Sequence, residues 1–207
     1  MMNSAILAQL LTVGAPQESK DQAELNPNKV IQGAIENQKN RLVESVFNSE
    51  GGYSTDTKDT GNYVDGNFVG TNHGISAPVL KNYLGRAPTI KDMRSLTKDK
   101  AREIYKKDYY EKYGVDKLPS DLQEIVLHGV VNSGGTGLKV AQKLVGVKAD
   151  GIAGKKTKKA LKDANFTKQE YKNELLKEYK KFKTWKDHGE GWTNRFEHLA
   201  QEDPFGL

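Results

Sequence analysis

The spacing of apolar residues constrains the fold of this chain more than any other sequence feature. From Val30 onward, apolar residues recur every three or four positions through most of the chain, which is the spacing of amphipathic helices. The first run reaches Phe47 and is followed by Glu50 and the pair Gly51-Gly52, and such a pair favours helix termination. The pattern predicts a mainly helical protein whose first helix carries Glu50 near its end.

One interval lacks the helical spacing. Residues 53–76 are rich in Gly, Asn, Asp and Thr and contain two short β-prone pieces, Tyr63-Val64 and Asn67-Phe68-Val69. Asp65-Gly66 separates the two pieces, and this dipeptide is typical of two-residue hairpin turns. We therefore expect a mainly α, α+β fold, in which a helical domain carries a small β-hairpin lobe beside the first helix.

Side chains that cap helices mark where later helices begin. Thr97 is a suitable N-cap, while Ser120 with Gln123 and Thr167 with Glu170 have the spacing of capping boxes. The run that follows Ser120 is apolar on several sides, which predicts a central buried helix.

Charge and composition limit the classes of partner. The net charge of +5 suits an anionic polymer such as nucleic acid, an anionic lipid surface or the bacterial cell wall, although a soluble basic protein needs no such partner. Residues 155–186 hold twelve Lys and four acidic residues, which indicates either a solvated face or a contact with an anionic polymer. The chain has no cysteine, so disulfides and thiolate metal sites are excluded.

The N-terminal residues differ from the rest of the chain. Residues 4–13 are apolar, but no Lys or Arg precedes them and Gln9 interrupts them, so we expect no secretory signal peptide. No run reaches the roughly 18–20 apolar residues of a transmembrane helix, and none is expected. Residues 1–38 contain no aromatic residue and are interpreted as an N-terminal arm, either disordered or docking on a partner.

Two carboxylates and a threonine form a candidate site for glycosidic bond hydrolysis. This reaction needs a carboxylic acid that stays protonated and a second group that handles the water or the cation. At the end of an apolar helix, burial raises the pKa of a carboxyl such as Glu50. Asp59 lies nine residues later in a polar loop, and Thr71 follows the hairpin. Carboxylates near helix ends are more often solvated or capping residues, so spacing alone leaves both interpretations open.

Several short motifs, in order, resemble the glycoside hydrolase family 108 muramidases. These lysozyme-superfamily enzymes occur in phages and bacteria. The matching pieces are Glu50-Gly51-Gly52-Tyr53, Asp59-Thr60-Gly61, Thr71–Ile75, Leu96-Thr97, Val131-Asn132, residues 149–157 and Gly191–Arg195. Together they cover roughly residues 40–200.

The resemblance implies a set of roles. Residues 39–132 would form a lysozyme-like catalytic region, and residues 133–207 a helical peptidoglycan-binding-like segment packed on it. Glu50 would be the acid, Asp59 the carboxylate that activates water, and Thr71 the group that holds the water. The residues expected to contact substrate are Tyr53, Asn72, His73 and Asn132. No cofactor is expected, and the four scattered histidines lack the spacing of metal ligands.

Two departures from the family pattern affect this assignment. The segment Asn62–Gly70 is longer than the tight connection typical of the family, which leaves the position of Thr71 open. His128 stands where an Asp is expected, and a single His on a helix is more often a packed or surface residue. Trp192 falls in register with Phe196 and Leu199, which favours a place in the core over contact with sugar.

The implied function is cleavage of the β-1,4 bond between N-acetylmuramic acid and N-acetylglucosamine, as a phage endolysin or a virion-associated tail lysozyme. The partners would be peptidoglycan and, through the N-terminal arm, phage tail or baseplate proteins, with no nucleic acid. The protein would act on the cell wall in the periplasm, and reside in the virion or host cytoplasm beforehand. Two alternatives remain: a lytic transglycosylase, which needs no partner such as Asp59, and a non-catalytic wall-binding or structural tail protein.

Overall fold

Nine α-helices and one two-stranded antiparallel sheet make up the residues that the computed structural model describes, 27–47 and 52–201. The helices are α1 (Pro27–Phe47), α2 (Ala77–Leu84), α3 (Ile90–Arg94), α4 (Lys98–Ile104), α5 (Ser120–Ser133), α6 (Gly135–Leu144), α7 (Lys155–Lys162), α8 (Lys168–Tyr179) and α9 (Trp185–Gln201). The strands are β1 (Tyr63–Val64) and β2 (Asn67–Phe68), and a π-helical segment, Tyr105–Glu111, continues α4. The prediction of a mainly helical fold with a small hairpin is confirmed.

The chain divides into two compact units, residues 1–37 and residues 38–207. In the first unit, the described residues are 27–37 at the start of α1, where Val30, Ile31 and Ile35 are each about half exposed. The predicted end of the first helix at Gly51-Gly52 lies partly outside the described residues, because positions 48–51 are among those not described.

The hairpin forms where the sequence predicts it. Tyr63 pairs with Phe68 and Val64 with Asn67. Between them Asp65 and Gly66 have φ angles of 50° and 77°, the left-handed geometry of a type I′ turn, whose twist matches that of the paired strands. Lys81 of α2 donates to both carboxylate oxygens of Asp65 at 2.8 Å, which ties the turn to the helical body.

Two of the three predicted caps are confirmed. The Thr97 side chain accepts from the amide of Lys100, and Thr167 with Glu170 forms a full capping box. The third prediction is wrong, because Gln123 is buried and its amide is used inside the core. Its Nε2 donates to the Leu118 carbonyl at 2.9 Å, and the Tyr110 hydroxyl donates to its Oε1 at 2.7 Å.

Helix α5 lies at the centre of the helical body, as its apolar character predicts. Helices α6, α8 and α9 all pack on it. Its contact with α6 depends on glycine, since a Cβ atom on Gly137 would lie 2.5 Å from the carbonyl carbon of Gly129. On the outer side, Trp192 packs within an aromatic cluster, with ring centroids 5.0 Å from Tyr179 and 6.2 Å from Phe182.

Across residues 27–47 and 52–201, no helix has both the length and the apolar character needed to cross a bilayer.

Candidate active site

The C-terminal end of α1 faces α4 and the loop that follows the hairpin. Glu44 accepts hydrogen bonds from Nε and Nη2 of Arg102. The same guanidinium lies 4.8 Å from the centroid of the Phe47 ring, and this ring lies 5.7 Å from the ring of His73. The last described turn of α1 is therefore held against the 71–75 loop.

Glu50, the predicted acid, lies outside the described residues. The residues that flank the interval 48–51 are described on both sides. Phe47 precedes it with the contacts above, and Tyr53 follows closely after it. The Tyr53 hydroxyl donates to the Val69 carbonyl at 3.1 Å, and the guanidinium of Arg94 lies 4.7 Å from the centroid of its ring.

Tyr53 and Gly70 pack so closely that only glycine fits opposite the ring. A Cβ atom on Gly70 would lie 2.6 Å from Tyr53 Cε2, and the φ of Gly70 is +89°. Both the space and the backbone conformation therefore exclude a side chain there. This contact holds the stretch that follows Glu50 against the base of the hairpin lobe.

Thr71 lies beside this stretch and keeps an unused hydroxyl. The amide of Ser54 donates to the Thr71 carbonyl at 2.7 Å. The Thr71 Oγ1 atom is buried and has no hydrogen-bond partner among the described residues. A buried hydroxyl without a partner costs about 1–3 kcal/mol, so a water or a ligand atom that bonds to it would offset this cost.

Asp59 begins the short 3₁₀ turn Thr60–Asn62. Its carboxylate is exposed and accepts from the amide of Gly61 at 2.8 Å. Asp56, in the same loop, accepts from the amide of Lys58 at 2.8 Å. The loop is fixed at its end by the buried side chain of Asn62, which donates to the Asp56 carbonyl at 2.7 Å.

The long segment from Asn62 to Gly70 closes on itself. The amides of Val69 and Gly70 both donate to the Asn62 carbonyl, at 2.8 and 3.0 Å. The hairpin therefore adds length without separating its two ends. As a result, Thr71 directly follows a residue that is hydrogen-bonded to the Asp59 turn, and the extra residues do not displace it.

The loop that carries Thr71 is held by Asn72 and lined by His73. The buried Asn72 side chain donates from Nδ2 to the Met93 carbonyl at 2.9 Å, so this amide supports the loop. His73 is half-buried and has a φ of +50°. Burial, and then the positive charge of Lys98, lower the pKa of the His73 ring, which is therefore neutral at neutral pH.

His128, which lies on α5, packs against α1. Its ring is 5% exposed, and its Nε2 lies 3.3 Å from Ser45 Oγ. Because the Ser45 hydroxyl donates to the Leu42 carbonyl, it can only accept from His128, which assigns the proton to Nε2. Burial, and then the charge of Arg195, lower the pKa of His128 to about 4. A packed neutral ring thus stands where the family pattern suggests an Asp.

Two polar atoms on the same face of α5 have no partner within the described part of the chain. They are His128 Nδ1 and, one turn later, Nδ2 of Asn132. Asn132 was predicted from its motif, whereas the packing of His128 against Ser45 depends on a contact across 83 residues.

Three tyrosines that sequence reasoning did not assign to the site form a stack. The ring centroids of Tyr105 and Tyr109 are 5.4 Å apart, and those of Tyr109 and Tyr113 are 6.4 Å apart. Tyr105 also meets Phe47 edge-on at 6.3 Å. Side chains four residues apart are neighbours on a helix surface, which explains the stacking. Tyr105 and Tyr109 lie in the π-helical segment, and such segments often occur at functional sites. Their spacing of four residues was the available signal.

Within residues 27–47 and 52–201, no group of three or more His, Asp and Glu side chains is placed to hold a metal ion.

A helical body with a hairpin lobe that holds an aspartate and a threonine beside a helix end defines the lysozyme-like class. The family model for glycosyl hydrolase 108 matches residues 43–134, an interval that includes every site residue predicted above. The solved structure of Brucella abortus SagA is similar, with a TM-score of 0.68 and 30% identity over 84% of this chain and 99% of that chain. No curated protein sequence matches this chain. The chain belongs to the glycosyl hydrolase 108 family and is a glycoside hydrolase.

Proposed function

We propose that this protein is a muramidase that hydrolyses the β-1,4 bond between N-acetylmuramic acid and N-acetylglucosamine in peptidoglycan. In this proposal Glu50 donates a proton to the leaving oxygen and Asp59 activates the attacking water. Thr71 holds that water. Membership of the glycosyl hydrolase 108 family supports the class of reaction.

The observation that carries the assignment is the hydroxyl of Thr71. It is buried and has no partner among the described residues, so a water bound there would satisfy it. The Asp59 turn is joined to Gly70, the neighbour of Thr71, through the Asn62 carbonyl. Ser54, which pairs with Thr71, follows Glu50 by four residues, a length of chain that spans at most about 14 Å. Covalent connectivity thus keeps the proposed acid within reach of the proposed water.

The proposed contacts with substrate follow from the remaining geometry. Asn132, predicted from its motif, would donate from its side-chain amide to a sugar hydroxyl or acetamido oxygen. His73 would line the site as a neutral ring. Tyr53 would contribute a ring edge, and Asn72 would act through the loop that it supports. The stacked Tyr109 and Tyr113 offer apolar ring surface of the kind on which sugar rings pack.

The proposal extends to the organisation of the chain. Residues 39–132 would be the catalytic region, and residues 133–207 would hold the enzyme on the wall. The arm, residues 1–38, would dock on phage tail or baseplate proteins if the enzyme is carried in a virion. If the enzyme is instead an endolysin, the arm has no such partner. The motivation is that residues 1–38 contain no aromatic residue and precede every recognisable motif.

The test is mass spectrometry of peptidoglycan digested by the purified protein, with Glu50→Gln as the control. We expect fragments that end in reducing N-acetylmuramic acid. Anhydro-muramic ends would instead identify a lytic transglycosylase, and reducing N-acetylglucosamine ends would place the cut at the other bond. Binding to sacculi without any product would identify a non-catalytic wall-binding protein.

A further inference from the structure

A cleft of about 380 Å³ opens between the end of α6 and the start of α7. Its apolar lining comes from Val147 and Ile152, and its cationic lining from Lys148, Lys155 and Lys156. The volume lies in the range of small-ligand sites, about 300–1,000 Å³. None of the lining residues belongs to the catalytic region, so the cleft is separate from the site described above.

The loop that forms the cleft is held rigid by one buried side chain. Gln142 is fully buried, and the two hydrogens on its Nε2 are shared among three acceptors at 3.0–3.1 Å: Asp150 Oδ1, the Ile152 carbonyl and Thr157 Oγ1. Its Oε1 accepts from the amide of Gly151 at 2.8 Å. These bonds join α6 to the loop and to Thr157 of α7 and use no ligand atom, so the cleft is formed before any ligand arrives.

This rigid loop displays an apolar side chain to solvent. Ile152 is 67% exposed, the largest exposed fraction among the large apolar side chains of the described residues. A flexible loop can bury such a side chain, but the bonds to Gln142 hold the Ile152 backbone in place. Exposed apolar surface beside polar residues is typical of a contact site.

The charge beside Ile152 is strongly positive. Residues 151–162 contain five Lys and no acidic residue. Lys155 and Lys156 are exposed, and neither has an ion-pair partner within residues 27–47 and 52–201. The acidic group in the lining is Asp150, whose carboxylate already accepts from Gln142 and from the Ile152 amide. The cleft therefore offers ammonium groups next to a small apolar surface.

These features select one component of peptidoglycan over the other. Sugars are commonly recognised on aromatic rings, and no aromatic side chain lines the cleft. Carboxylates pair with ammonium groups, and methyl groups pack on Val and Ile side chains. The peptide stem of peptidoglycan carries both free carboxylates and alanine methyl groups, whereas the glycan backbone presents mainly hydroxyl and acetamido groups.

We propose that the cleft between α6 and α7 binds the acidic peptide stem of peptidoglycan, with stem carboxylates on Lys155 and Lys156 and alanine methyl groups on Val147 and Ile152. This inference rests on the proposed function, because the stem reaches the protein as part of the substrate. The cleft would anchor the enzyme to the wall while the separate catalytic site cleaves the glycan.

The test measures binding of the full chain carrying Glu50→Gln, which leaves the sacculi undigested. Three ligands are compared: intact sacculi, sacculi stripped of their stems by an amidase, and a free stem tetrapeptide ending in D-Ala. The variant Lys155→Gln/Lys156→Gln is matched by Lys159→Gln/Lys162→Gln, which changes the same charge on the same helix outside the cleft. Ile152→Ser is matched by Ile90→Ser, at another exposed Ile on α3.

We expect the Lys155/Lys156 variant to bind intact sacculi and free tetrapeptide about tenfold more weakly, and the matched pair less than about twofold more weakly. Ile152→Ser should weaken tetrapeptide binding and Ile90→Ser should not. When the same substitutions are made in a chain that retains Glu50, cleavage of stem-free glycan should match that of the wild type.

Equal losses in the two lysine variants would overturn the proposal, because they would show a general charged surface. Binding that is unchanged when the stems are removed would overturn it in favour of the glycan. The two proposals fail separately. Lysine-dependent binding of the tetrapeptide by a protein that releases no glycan fragments would leave the cleft assigned and reject the muramidase. Digestion of sacculi by a protein whose binding does not depend on the stem would support the muramidase and reject the assignment of the cleft.

Discussion

The hairpin lobe and the contacts that α8 makes within the bundle treat buried polar atoms in opposite ways. In the bundle, the Tyr171 hydroxyl donates to the Gly137 carbonyl at 3.1 Å, and the Tyr179 hydroxyl donates to Ser133 Oγ at 3.2 Å. Lys172, also buried, pairs with Glu197 at 2.7 Å. In the lobe, by contrast, the buried hydroxyl of Thr71 has no partner among the described residues.

Five buried side-chain atoms lack a partner within the described ranges. Four of them belong to the candidate site or its supports: Asn62 Oδ1, Thr71 Oγ1, His128 Nδ1 and Asn132 Nδ2. The fifth, Asp116 Oδ1, lies elsewhere. Each such atom costs about 1–3 kcal/mol, so a water or ligand atom that bonds to it would lower the free energy of the folded protein.

The largest expected effect is on catalysis by Glu50. Glu50→Gln keeps the size of the side chain but removes the proton that the reaction needs. Turnover of peptidoglycan should fall about 100- to 10,000-fold, with an unchanged midpoint of thermal unfolding. Turbidity clearing of purified sacculi measures the first quantity. A variant that keeps more than about a tenth of wild-type turnover would remove Glu50 from the role of acid.

The next effect distinguishes the two carboxylates of the 56–62 loop. Asp59→Asn should lower hydrolysis about 100-fold while binding to insoluble peptidoglycan is retained, because the change removes charge and keeps shape. Asp56→Asn is the matched control and should have little effect. If the two variants exchange these results, Asp56 activates the water. Full activity in both would favour the transglycosylase.

A third prediction concerns the bundle alone. Gly137→Ala places a Cβ atom 2.5 Å from the backbone of Gly129, so α5 and α6 must separate, at a cost of about 3 kcal/mol in the free energy of unfolding. Gly191→Ala is the control, because a Cβ atom there meets no other atom within 4 Å. Urea denaturation of both variants measures the free energy of unfolding. Equal changes in the two variants would mean that the close approach of α5 and α6 does not determine stability.

The fourth prediction is a pH dependence of stability that comes from His128. The folded pKa of about 4 lies below the unfolded value of about 6.5. The unfolded state therefore binds more protons between these values, and stability falls as the pH is lowered through that window. Relative to pH 7, the loss at pH 5 should be about 2 kcal/mol.

This loss of stability should be absent from His128→Gln. The difference between the wild-type and variant curves of stability against pH should therefore equal the contribution of His128. A wild-type slope that survives in His128→Gln would assign the pH dependence to carboxyl groups.

The smallest expected effect is that of the N-terminal arm on catalysis. A chain that begins near Asn28 should digest purified peptidoglycan within about twofold of the full-length rate, because a segment without aromatic residues contributes little packing. Co-purification of the two forms with phage particles tests the proposed docking. Loss of solubility or of turnover would show that the arm belongs to the core, and equal association with particles would leave a plain endolysin.

Sequence reasoning succeeded at the elements whose determinants lie close together in the chain. The Asp65-Gly66 turn, the Thr97 cap and the Thr167–Glu170 box depend on residues within a few positions of each other. It failed at Gln123, which has the spacing of a capping residue. The spacing of residues 120 and 123 cannot show that the Gln123 side chain faces Tyr110. A buried amide forms hydrogen bonds with whichever groups surround it.

The same division holds for the candidate site. The motifs placed Asp59, Thr71 and Asn132 in one family of enzymes, and the structure then supplied what the motifs lack. The apparent excess length of Asn62–Gly70 is harmless because both ends bond to one carbonyl. The role of His128 follows from Ser45, which lies 83 residues away.

The sequence by itself therefore determined the helical class, the hairpin and its turn, two of three caps and the family, because each depends on short-range patterns. Only the tertiary structure decided which polar atoms are satisfied, how closely α5 approaches α6, and how a buried glutamine shapes the cleft beside Ile152. Those outcomes depend on contacts between residues distant in the chain, and burial changes the free energy of a polar group according to whichever neighbours the fold places beside it.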